Sequence, residues 1–215
     1  MNLLILLAHP GPASFNHALA GAVLLFAAAA SSSNPAPAAA VPYALQADGH
    51  AATHHDLCAE GFAPALPAAE IPAAAVLPPE LRRHCDELRA ADGLVIVHPN
   101  WWGQPPAVMK GWIDRVLRPG VAYRFLPGDS GEGVPVGLLR ARTAVILNTS
   151  NTNAGREQAA FGDPLEAIWK RCIFGLCGVH DVRRRMFSVL VASTPAQRAA
   201  WLAEAVALCR QALPA

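Results

Sequence analysis

The sequence predicts an α/β fold in which helices cover both faces of a parallel sheet, a doubly wound arrangement. Three short apolar runs, at residues 3–8, 94–97 and 143–147, are too brief for globular helices. Their continuous apolar character is typical of strands that are buried on both faces. Each run is followed by turn-forming residues and, further on, by a helical pattern, and this alternation of strand and helix indicates a parallel sheet.

The first strand, at residues 3–8, leads into a turn that contains His9 and two prolines. Ser14 is the expected N-cap of a helix over residues 15–26. Such a turn offers free backbone N–H groups at the positive end of a helix dipole, and this geometry suits a phosphate. An ordinary connection between a strand and a helix explains the same residues equally well.

The stretch over residues 31–47 is rich in Ala, Pro and Ser and lacks periodicity. Its prolines exclude a continuous helix, so we expect a surface insertion and not a domain boundary. The whole chain, residues 1–215, is then expected to form a single domain. Between this insertion and the central strand, the sequence predicts a weak strand at residues 51–57 and a helix at residues 79–91.

Potential metal ligands surround the weak strand, and they are His50, His54, His55, Asp56 and Cys58. Only alternate residues of a strand share one face, so these side chains cannot converge on one ion without help from elsewhere. We therefore predict no metal site here.

The central run, residues 94–97, ends in a loop that contains two adjacent tryptophans. The loop residues are Pro99, Asn100, Trp101, Trp102 and Gly103. Two prolines follow and suit the first turn of a helix. Loops at the carboxyl ends of parallel strands are where such sheets bind ligands. Adjacent residues of a turn cannot easily face the same core, so we expect at least one of the tryptophans to contact a planar ligand.

The third strand, residues 143–147, is followed by six small polar residues, Asn148, Thr149, Ser150, Asn151, Thr152 and Asn153. Such a run forms poor regular structure but can line a pocket for a polar heterocycle. A solvated loop with Asx turns is the alternative interpretation. Beyond it, the sequence predicts a helix at residues 164–176, a last strand at 183–191 and a closing helix at 195–213.

Charge and cysteine content restrict the possible partners and location. The formal net charge is +1, and residues 1–81 contain no Lys or Arg, so we expect no nucleic-acid partner. The five cysteines have no CxxC spacing and predict free thiols in a reducing compartment. The N-terminal apolar run is too short for a membrane span. We therefore expect a cytoplasmic protein that is not embedded in a membrane.

The three loops are expected to meet at one edge of the sheet. A right-handed crossover rule places the strand at residues 3–8 between the weak strand at residues 51–57 and the central strand at residues 94–97. The direction of winding reverses at that point. One loop then offers a helix N-terminus, one offers aromatic rings and one offers polar groups for the edge of a ring. This combination favours a flavin over a dinucleotide, because no GxGxxG motif follows either early strand.

Several motifs resemble those of one known family. They are His9 and Pro10 with Ser14, Phe15 and Asn16; Pro99 through Trp102; Lys-Gly-Trp-Ile-Asp-Arg-Val at residues 110–116; and residues 120–125. Together they resemble the NAD(P)H:quinone oxidoreductase family of flavodoxin-like proteins, which includes quinone reductases and the flavoprotein ancillary subunits of potassium-efflux systems. The resemblance implies a flavodoxin-like, five-stranded parallel sheet of order 2-1-3-4-5 and a homodimer with a flavin, FAD or FMN, near its interface.

The same resemblance implies the activity and the roles of individual residues. NAD(P)H would be the co-substrate, and quinones or similar small acceptors would be reduced by two-electron, ping-pong hydride transfer. The phosphate end of the flavin would contact His9, Ser14, Phe15 and Asn16. Its ring would contact Pro99, Asn100, Trp101, Trp102 and Gly103, and its pyrimidine edge Thr149, Ser150 and Asn151. Lys110, Gly111 and Trp112 match a structural signature, and no catalytic side chain is assigned.

The chain departs from the family pattern after its third loop. Family quinone reductases usually carry Gly-Gly there, followed by a Tyr and a His, whereas this chain has Ser150 and Asn151 and, further on, Glu157 and Phe161. The sequence therefore leaves open FAD or FMN, NADH or NADPH, and the identity of the acceptor. Two other functions also stay open, a regulatory flavoprotein subunit of a membrane transporter and a flavodoxin-like electron carrier.

Overall fold

The structure, a computed structural model, describes residues 1–28, 50–126, 128, 133 and 135–214. Seven strands occur within these residues, and they are β1 (Asn2–Leu7), β2 (Ala51–Asp56), β3 (Gly93–Pro99), β4 (Tyr123–Arg124), β5 (Val136–Gly137), β6 (Thr143–Thr149) and β7 (Asp181–Phe187). Five of them form a parallel sheet of order β2-β1-β3-β6-β7, which confirms the predicted order 2-1-3-4-5. The expected insertion at residues 31–47 lies outside the described residues.

Helices cover both faces of this sheet. They are α1 (Phe15–Ala28), α2 (Pro79–Ala90), α3 (Ala107–Val116), α4 (Ala154–Phe161), α5 (Pro164–Ala167) and α6 (Pro195–Ala212). Helices α1 and α6 pack on one face, and α2 and α3 pack on the other together with a π-helical stretch, Ile168–Gly175. The doubly wound α/β fold is thus confirmed.

The central strands are buried on both faces, as their continuous apolar sequence predicts. In β1, Leu4 and Leu6 face the core beneath α2 and α3, whereas Leu3, Ile5 and Leu7 face the core beneath α1 and α6. Strand β1 pairs with both β2 and β3, so the winding of the chain reverses between β1 and β3. The loops that leave the two strands there diverge to opposite faces, and this divergence opens a crevice at the carboxyl edge of the sheet.

One predicted boundary is wrong, and one predicted helix changes its type along its length. The last strand was expected at residues 183–191 but ends at Phe187, because the backbone N–H of Leu190 donates to the carbonyl of Ser150 outside the sheet ladder. The helix expected at residues 164–176 begins at Pro164 as predicted but becomes π-helical from Ile168 onward.

The Lys-Gly-Trp signature lies in α3 and fixes that helix against an irregular segment of the chain. A Cβ atom added to Gly111 would lie 2.3 Å from backbone atoms of Pro64, so only glycine permits this close approach. Trp112 is buried and donates its indole N–H to Nδ1 of His84 at 3.3 Å. Lys110 forms an exposed pair with Asp114 on the same helix. These contacts support a structural role for the signature.

Candidate functional site

The turns that follow β1, β3 and β6 line a single cavity of about 640 Å³ at the carboxyl edge of the sheet. All twelve residues that the sequence nominated for a flavin lie along it: His9, Ser14, Phe15, Asn16, Pro99, Asn100, Trp101, Trp102, Gly103, Thr149, Ser150 and Asn151. Five further residues complete the lining, and they are Thr152, Glu157, Phe161, Pro164 and Leu190. The three turns therefore meet in space, and the binding of a flavin by these residues stays a prediction.

The first turn presents the N-terminus of α1 to the cavity. The hydroxyl oxygen of Ser14 accepts the backbone N–H of His17 at 3.4 Å, which is the N-cap contact that the sequence predicts. The Ser14 hydroxyl also lies 2.9 Å from Nδ1 of His17, whose Nε2 lies 2.9 Å from Asp56. The first N–H groups of a helix have no intrahelical partner, and with that of His17 capped by Ser14, those of Phe15 and Asn16 are available to an anion.

His9 is a neutral hydrogen-bonding group at the entrance of this turn. Its Nδ1 lies 3.0 Å from the backbone nitrogen of Gly11 and 3.3 Å from the Gly11 carbonyl oxygen, and the shorter contact, in which Nδ1 accepts, leaves the ring proton on Nε2. Burial lowers the pKa of His9, and the positive field of His17 adds to this effect. Near pH 7, His9 therefore offers a hydrogen-bond donor and not a full positive charge.

The second turn carries the two tryptophans on a tight reversal of the backbone. Trp101 and Gln104 exchange backbone hydrogen bonds of 3.0 and 3.1 Å, and the two residues between them, Trp102 and Gly103, have φ angles of 58° and 71°. Two successive positive φ angles define a type I′ turn. Trp102 is fully exposed and Trp101 is 44% exposed, so neither belongs to the core. A Cβ on Gly103 would lie 2.7 Å from the ring of Pro164.

Asn100 and Glu157 connect this turn to α4. The side-chain N–H of Asn100 donates to Glu157 at 2.9 Å, and the side-chain oxygen of Asn100 accepts the backbone N–H of Gly103 at 3.0 Å. Glu157 is only 3% exposed, although it carries a carboxyl group. Glu157 is not among the predicted site residues, because the sequence pattern indicates no helix at residues 154–161. The cap of α4, in which Asn153 accepts the N–H of Arg156 at 2.9 Å, is the signal that could have shown this helix.

The third turn joins the other two through polar side chains. The Thr149 hydroxyl accepts from the amide N–H of the buried Asn16 side chain at 3.0 Å and donates to its amide oxygen at 3.3 Å, and so ties the β6 turn to α1. The carbonyl of Thr149 accepts the backbone N–H of Asn100 at 2.7 Å. Asn151 accepts the backbone N–H of Val191 at 2.9 Å, which holds the segment after β7 at the rim.

A buried polar network supports the floor beneath the second and third turns. Nε2 of His98 accepts the indole N–H of Trp169 and the amide N–H of Asn148, both at 2.9 Å, and its Nδ1 donates to the carbonyl of Pro99 at 2.8 Å. Arg184 donates to the Asn148 oxygen at 2.7 Å. Complete burial lowers the pKa of His98 to about 4, so its ring is neutral and keeps one tautomer.

The residues that line the cavity include few ionisable groups. Among the described residues that line the cavity there is no Lys or Arg, and Glu157 is the one carboxylate. An anionic group would therefore bind there through N–H and O–H donors and the dipole of α1, with the ring of His9 alongside.

A second cluster of titratable groups lies between β2 and α2. His55, His84 and Glu87 offer ligand-type atoms within 4.8 Å of one another. The two ring nitrogens of His55 contact Glu60 at 2.9 Å and Glu87 at 2.6 Å. Nδ1 of His84 accepts the indole N–H of Trp112. Each of these side chains thus already has a hydrogen-bond partner within the protein. Of the five potential metal ligands that surround the weak strand in the sequence, His55 alone belongs to this cluster.

Comparison with known proteins identifies the family. A family model described as "Flavodoxin-like fold" matches residues 22–213 of the chain. The chain belongs to the flavodoxin-like fold family. This flavodoxin-like chain is 28% identical over 191 residues to an uncharacterized NAD(P)H oxidoreductase of Haemophilus influenzae, a match that covers 87% of this chain and 83% of the relative.

Two further comparisons show how far the similarity extends. An FMN-dependent NADH:quinone oxidoreductase of Pseudomonas putida is 34% identical over 97 residues, which cover 45% of this flavodoxin-like chain and 44% of that protein. This match therefore spans less than half the length of that relative. The solved structure of an NAD(P)H:quinone oxidoreductase from Methanothermobacter marburgensis superposes with a TM-score of 0.74 at 23% identity, over 98% of this chain and 96% of the other. That superposition shows the shared fold.

The described part of this flavodoxin-like chain contains no helix that is both long and apolar enough to cross a membrane. Its five cysteines are free thiols in the structure. Burial raises the pKa of two of them, Cys177 to about 11 and Cys209 to about 12, so both stay protonated near pH 7.

Proposed function

We propose that this protein binds FMN in the cavity and catalyses the two-electron reduction of quinones by NAD(P)H. The observation that carries the proposal is the meeting of three chemically different turns in one cavity. The first turn offers a helix N-terminus, the second offers two exposed indoles, and the third offers hydroxyl and amide groups. The names of the relatives from Haemophilus influenzae and Pseudomonas putida support this assignment.

The donor groups of the cavity fit a flavin mononucleotide. A volume of about 640 Å³ lies within the range of pockets that enclose small cofactors. The apolar rings of Phe15, Trp101 and Phe161 suit a flat tricyclic ring, and the N-terminus of α1 with Ser14 suits a terminal phosphate. The Pseudomonas putida relative is FMN-dependent by name, which supports FMN over FAD.

When bound, a flavin supplies the chemistry of accepting a hydride from NAD(P)H and passing it to an acceptor. The chain supplies orientation and electrostatics. The backbone N–H groups of Ser150 and Thr152 already donate to Phe187 and to the Ser150 hydroxyl, so the N–H of Asn151 would be the one to donate to the polar edge of the ring. The indoles of the second turn would exclude water from one face of the ring. Because one cavity serves both substrates, NAD(P)H would leave before the quinone enters, and the kinetics would be ping-pong.

A homodimer and a cytoplasmic location are further parts of this proposal. Large apolar side chains are exposed around the cavity rim, with Trp102 fully exposed, Val191 at 76% and Phe161 at 56%. Large apolar side chains that are exposed at one edge of a protein favour an interface there. Sedimentation velocity of the holoprotein would show a single species of twice the chain mass if a second copy covers this rim, and a single species of the chain mass would contradict the dimer.

An absorption spectrum of the purified protein, followed by mass identification of the released chromophore, tests the cofactor. FMN in nearly equimolar amount is expected. Steady-state oxidation of NADH and of NADPH with a benzoquinone then tests the reaction, and parallel double-reciprocal lines are the expected pattern. Colourless protein that takes up neither FMN nor FAD would contradict the cofactor, and yellow protein that binds FMN without turnover would favour an electron carrier.

A further inference from the structure

Glu157 is a buried carboxylate in the cavity wall that the sequence did not assign to any role. It lies on α4, is 3% exposed and accepts one N–H of the Asn100 side chain at 2.9 Å. The oxygen of that same amide accepts the backbone N–H of Gly103 at 3.0 Å. Both ends of the Asn100 amide are therefore occupied, one by α4 and one by the turn that carries the tryptophans.

A carboxylate at this position permits only one orientation of the Asn100 amide. If the amide were rotated by 180°, its oxygen would face the carboxylate of Glu157 and its N–H₂ group would face the N–H of Gly103. Both contacts would be repulsive. Glu157 thus decides which end of Asn100 meets Gly103.

The turn depends on this contact because its backbone is otherwise costly. Trp102 and Gly103 both have positive φ angles, a conformation that a tryptophan rarely adopts. A backbone hydrogen bond from Asn100 to Thr149 anchors the base of the turn. A pair of backbone hydrogen bonds between Trp101 and Gln104 closes the turn. Among the described residues, the bond from Gly103 to Asn100 is the one hydrogen bond between a side chain and the backbone of residues 101–104.

We propose that Glu157 is the positioning residue of the tryptophan turn, residues 100–104. It holds the amide of Asn100, Asn100 holds the backbone of Gly103, and the two indoles are thereby presented to the cavity. The consequence for a cofactor rests on the proposed function, because it requires that this turn contacts the flavin ring. The positioning itself does not require a flavin.

Exchanging the carboxyl group of Glu157 and the amide group of Asn100 between the two positions tests the proposal. Glu157→Gln keeps an oxygen that accepts from Asn100, so little change is expected. Asn100→Asp places two carboxylates in contact and should disrupt the pair. In the double variant the new glutamine can donate to the new aspartate, which still accepts from Gly103, so the contact should return with its polarity reversed. Glu157→Leu removes the contact altogether. Gln158→Leu, at an exposed neighbour on α4, is the matched control.

Two measurements are made on each variant. The first is the hydrogen-exchange rate of the Gly103 amide in flavin-free protein, measured by NMR. The second is the dissociation constant for FMN, measured by quenching of flavin fluorescence. Asn100→Asp and Glu157→Leu should raise both by about tenfold or more, the equivalent of losing one buried hydrogen bond. Glu157→Gln, Gln158→Leu and the double variant should stay within about threefold of wild type.

The outcomes separate this inference from the proposed function. If Glu157→Gln is as damaging as Glu157→Leu, or if the double variant is no better than Asn100→Asp, the positioning role is overturned. An equal effect of Gln158→Leu would assign the change to α4 in general and overturn it too. If wild-type protein binds no FMN, the proposed function fails, and the Gly103 exchange rates still decide the positioning role. If Glu157→Leu does not fold, the comparison of the double variant, which keeps both polar groups, with Asn100→Asp decides the positioning role.

Discussion

Trp102 is the residue whose conformation and exposure point most directly to a ligand. It has a positive φ angle, which costs a residue with a side chain about 1–2 kcal/mol, and its indole is fully exposed to solvent. A large apolar ring in water contributes nothing to the stability of the free chain. We therefore infer that its contribution comes when a planar group covers it.

Replacing Trp102 with alanine should weaken the binding of FMN by about tenfold and leave the unfolding free energy within about 1 kcal/mol of wild type, because the indole makes little contact with the core. Trp201→Ala is the comparison. Trp201 is 7% exposed and packs against Phe15 and Phe187, so its loss should lower the unfolding free energy by about 3 kcal/mol or more. FMN titration and urea unfolding measure the two effects. Equal losses of FMN affinity in two folded variants would contradict the site.

The lining of the cavity by the twelve nominated residues was predictable because each lies at the end of an apolar strand, in the turn that follows it or at the start of a helix. Position in the chain alone then places them at the carboxyl edge of the sheet. Glu157 could not be found in this way, because its placement depends on how α4 packs against the second turn. The contact between His17 and Asp56 was not predicted either, since it joins residues 39 positions apart.

At the scale of elements, α3 shows how a family signature serves packing. Gly111 admits the backbone of Pro64, and Arg115 on the same helix forms a bidentate pair with Glu70 at 2.6 and 2.8 Å. Both members of this pair are buried, with exposed fractions of 7% and 6%. The irregular segment before α2 is thus fastened to the sheet through α3.

Gly111→Ala should therefore lower the unfolding free energy by about 2 kcal/mol or more, because its new methyl group meets backbone atoms that cannot move aside cheaply. Gly21→Ala in α1 is the matched control. Nothing lies within 4 Å of the Cβ position at Gly21, so alanine should stabilise the helix by up to about 1 kcal/mol. Chemical denaturation of both variants gives the two values. A Gly111→Ala protein as stable as wild type would show that α3 does not require this close approach.

The elements that the sequence failed to predict share a physical cause. Helix α4 has a single large apolar residue, Phe161, which is 56% exposed, and its buried residue is the charged Glu157. Apolar periodicity is therefore weak there. Strands β4 and β5 comprise only two residues each, too few for a pattern. The strands of the central sheet were predictable because their burial on both faces demands continuous apolar sequence.

For the whole molecule, buried histidines make the stability dependent on pH. Burial opposes protonation of His55, but hydrogen bonds to Glu60 and Glu87 outweigh it and raise the pKa of His55 to about 9. Burial lowers the pKa of His84 to about 4, and the neighbouring His55 contributes to this shift. The folded state therefore holds a proton on His55 that the unfolded chain releases above about pH 6.5, its ordinary pKa.

The unfolding free energy should thus decrease as the pH rises from 6.5, by about 2 kcal/mol at about pH 8.5, because the contribution of His55 is complete below its unfolded pKa and is lost toward pH 9. This range lies below 9.0, the ordinary pKa of a cysteine thiol, so Cys177 and Cys209, whose pKa values burial raises, contribute little to the slope there. In His55→Gln the decrease should disappear, whatever the absolute stability of the variant. Urea unfolding at several pH values gives the slope. An unchanged slope in the variant would assign the dependence to other groups.

The central claim is that a flavin lies across the edge of the sheet where the turns after β1, β3 and β6 meet. A crystal structure of the protein grown with FMN tests it most directly. The account predicts a phosphate at the N-terminus of α1 beside Ser14, with the ring between the tryptophan turn and the turn at Thr149 to Asn151. FMN bound at another surface, or an empty cavity in crystals saturated with FMN, would contradict it.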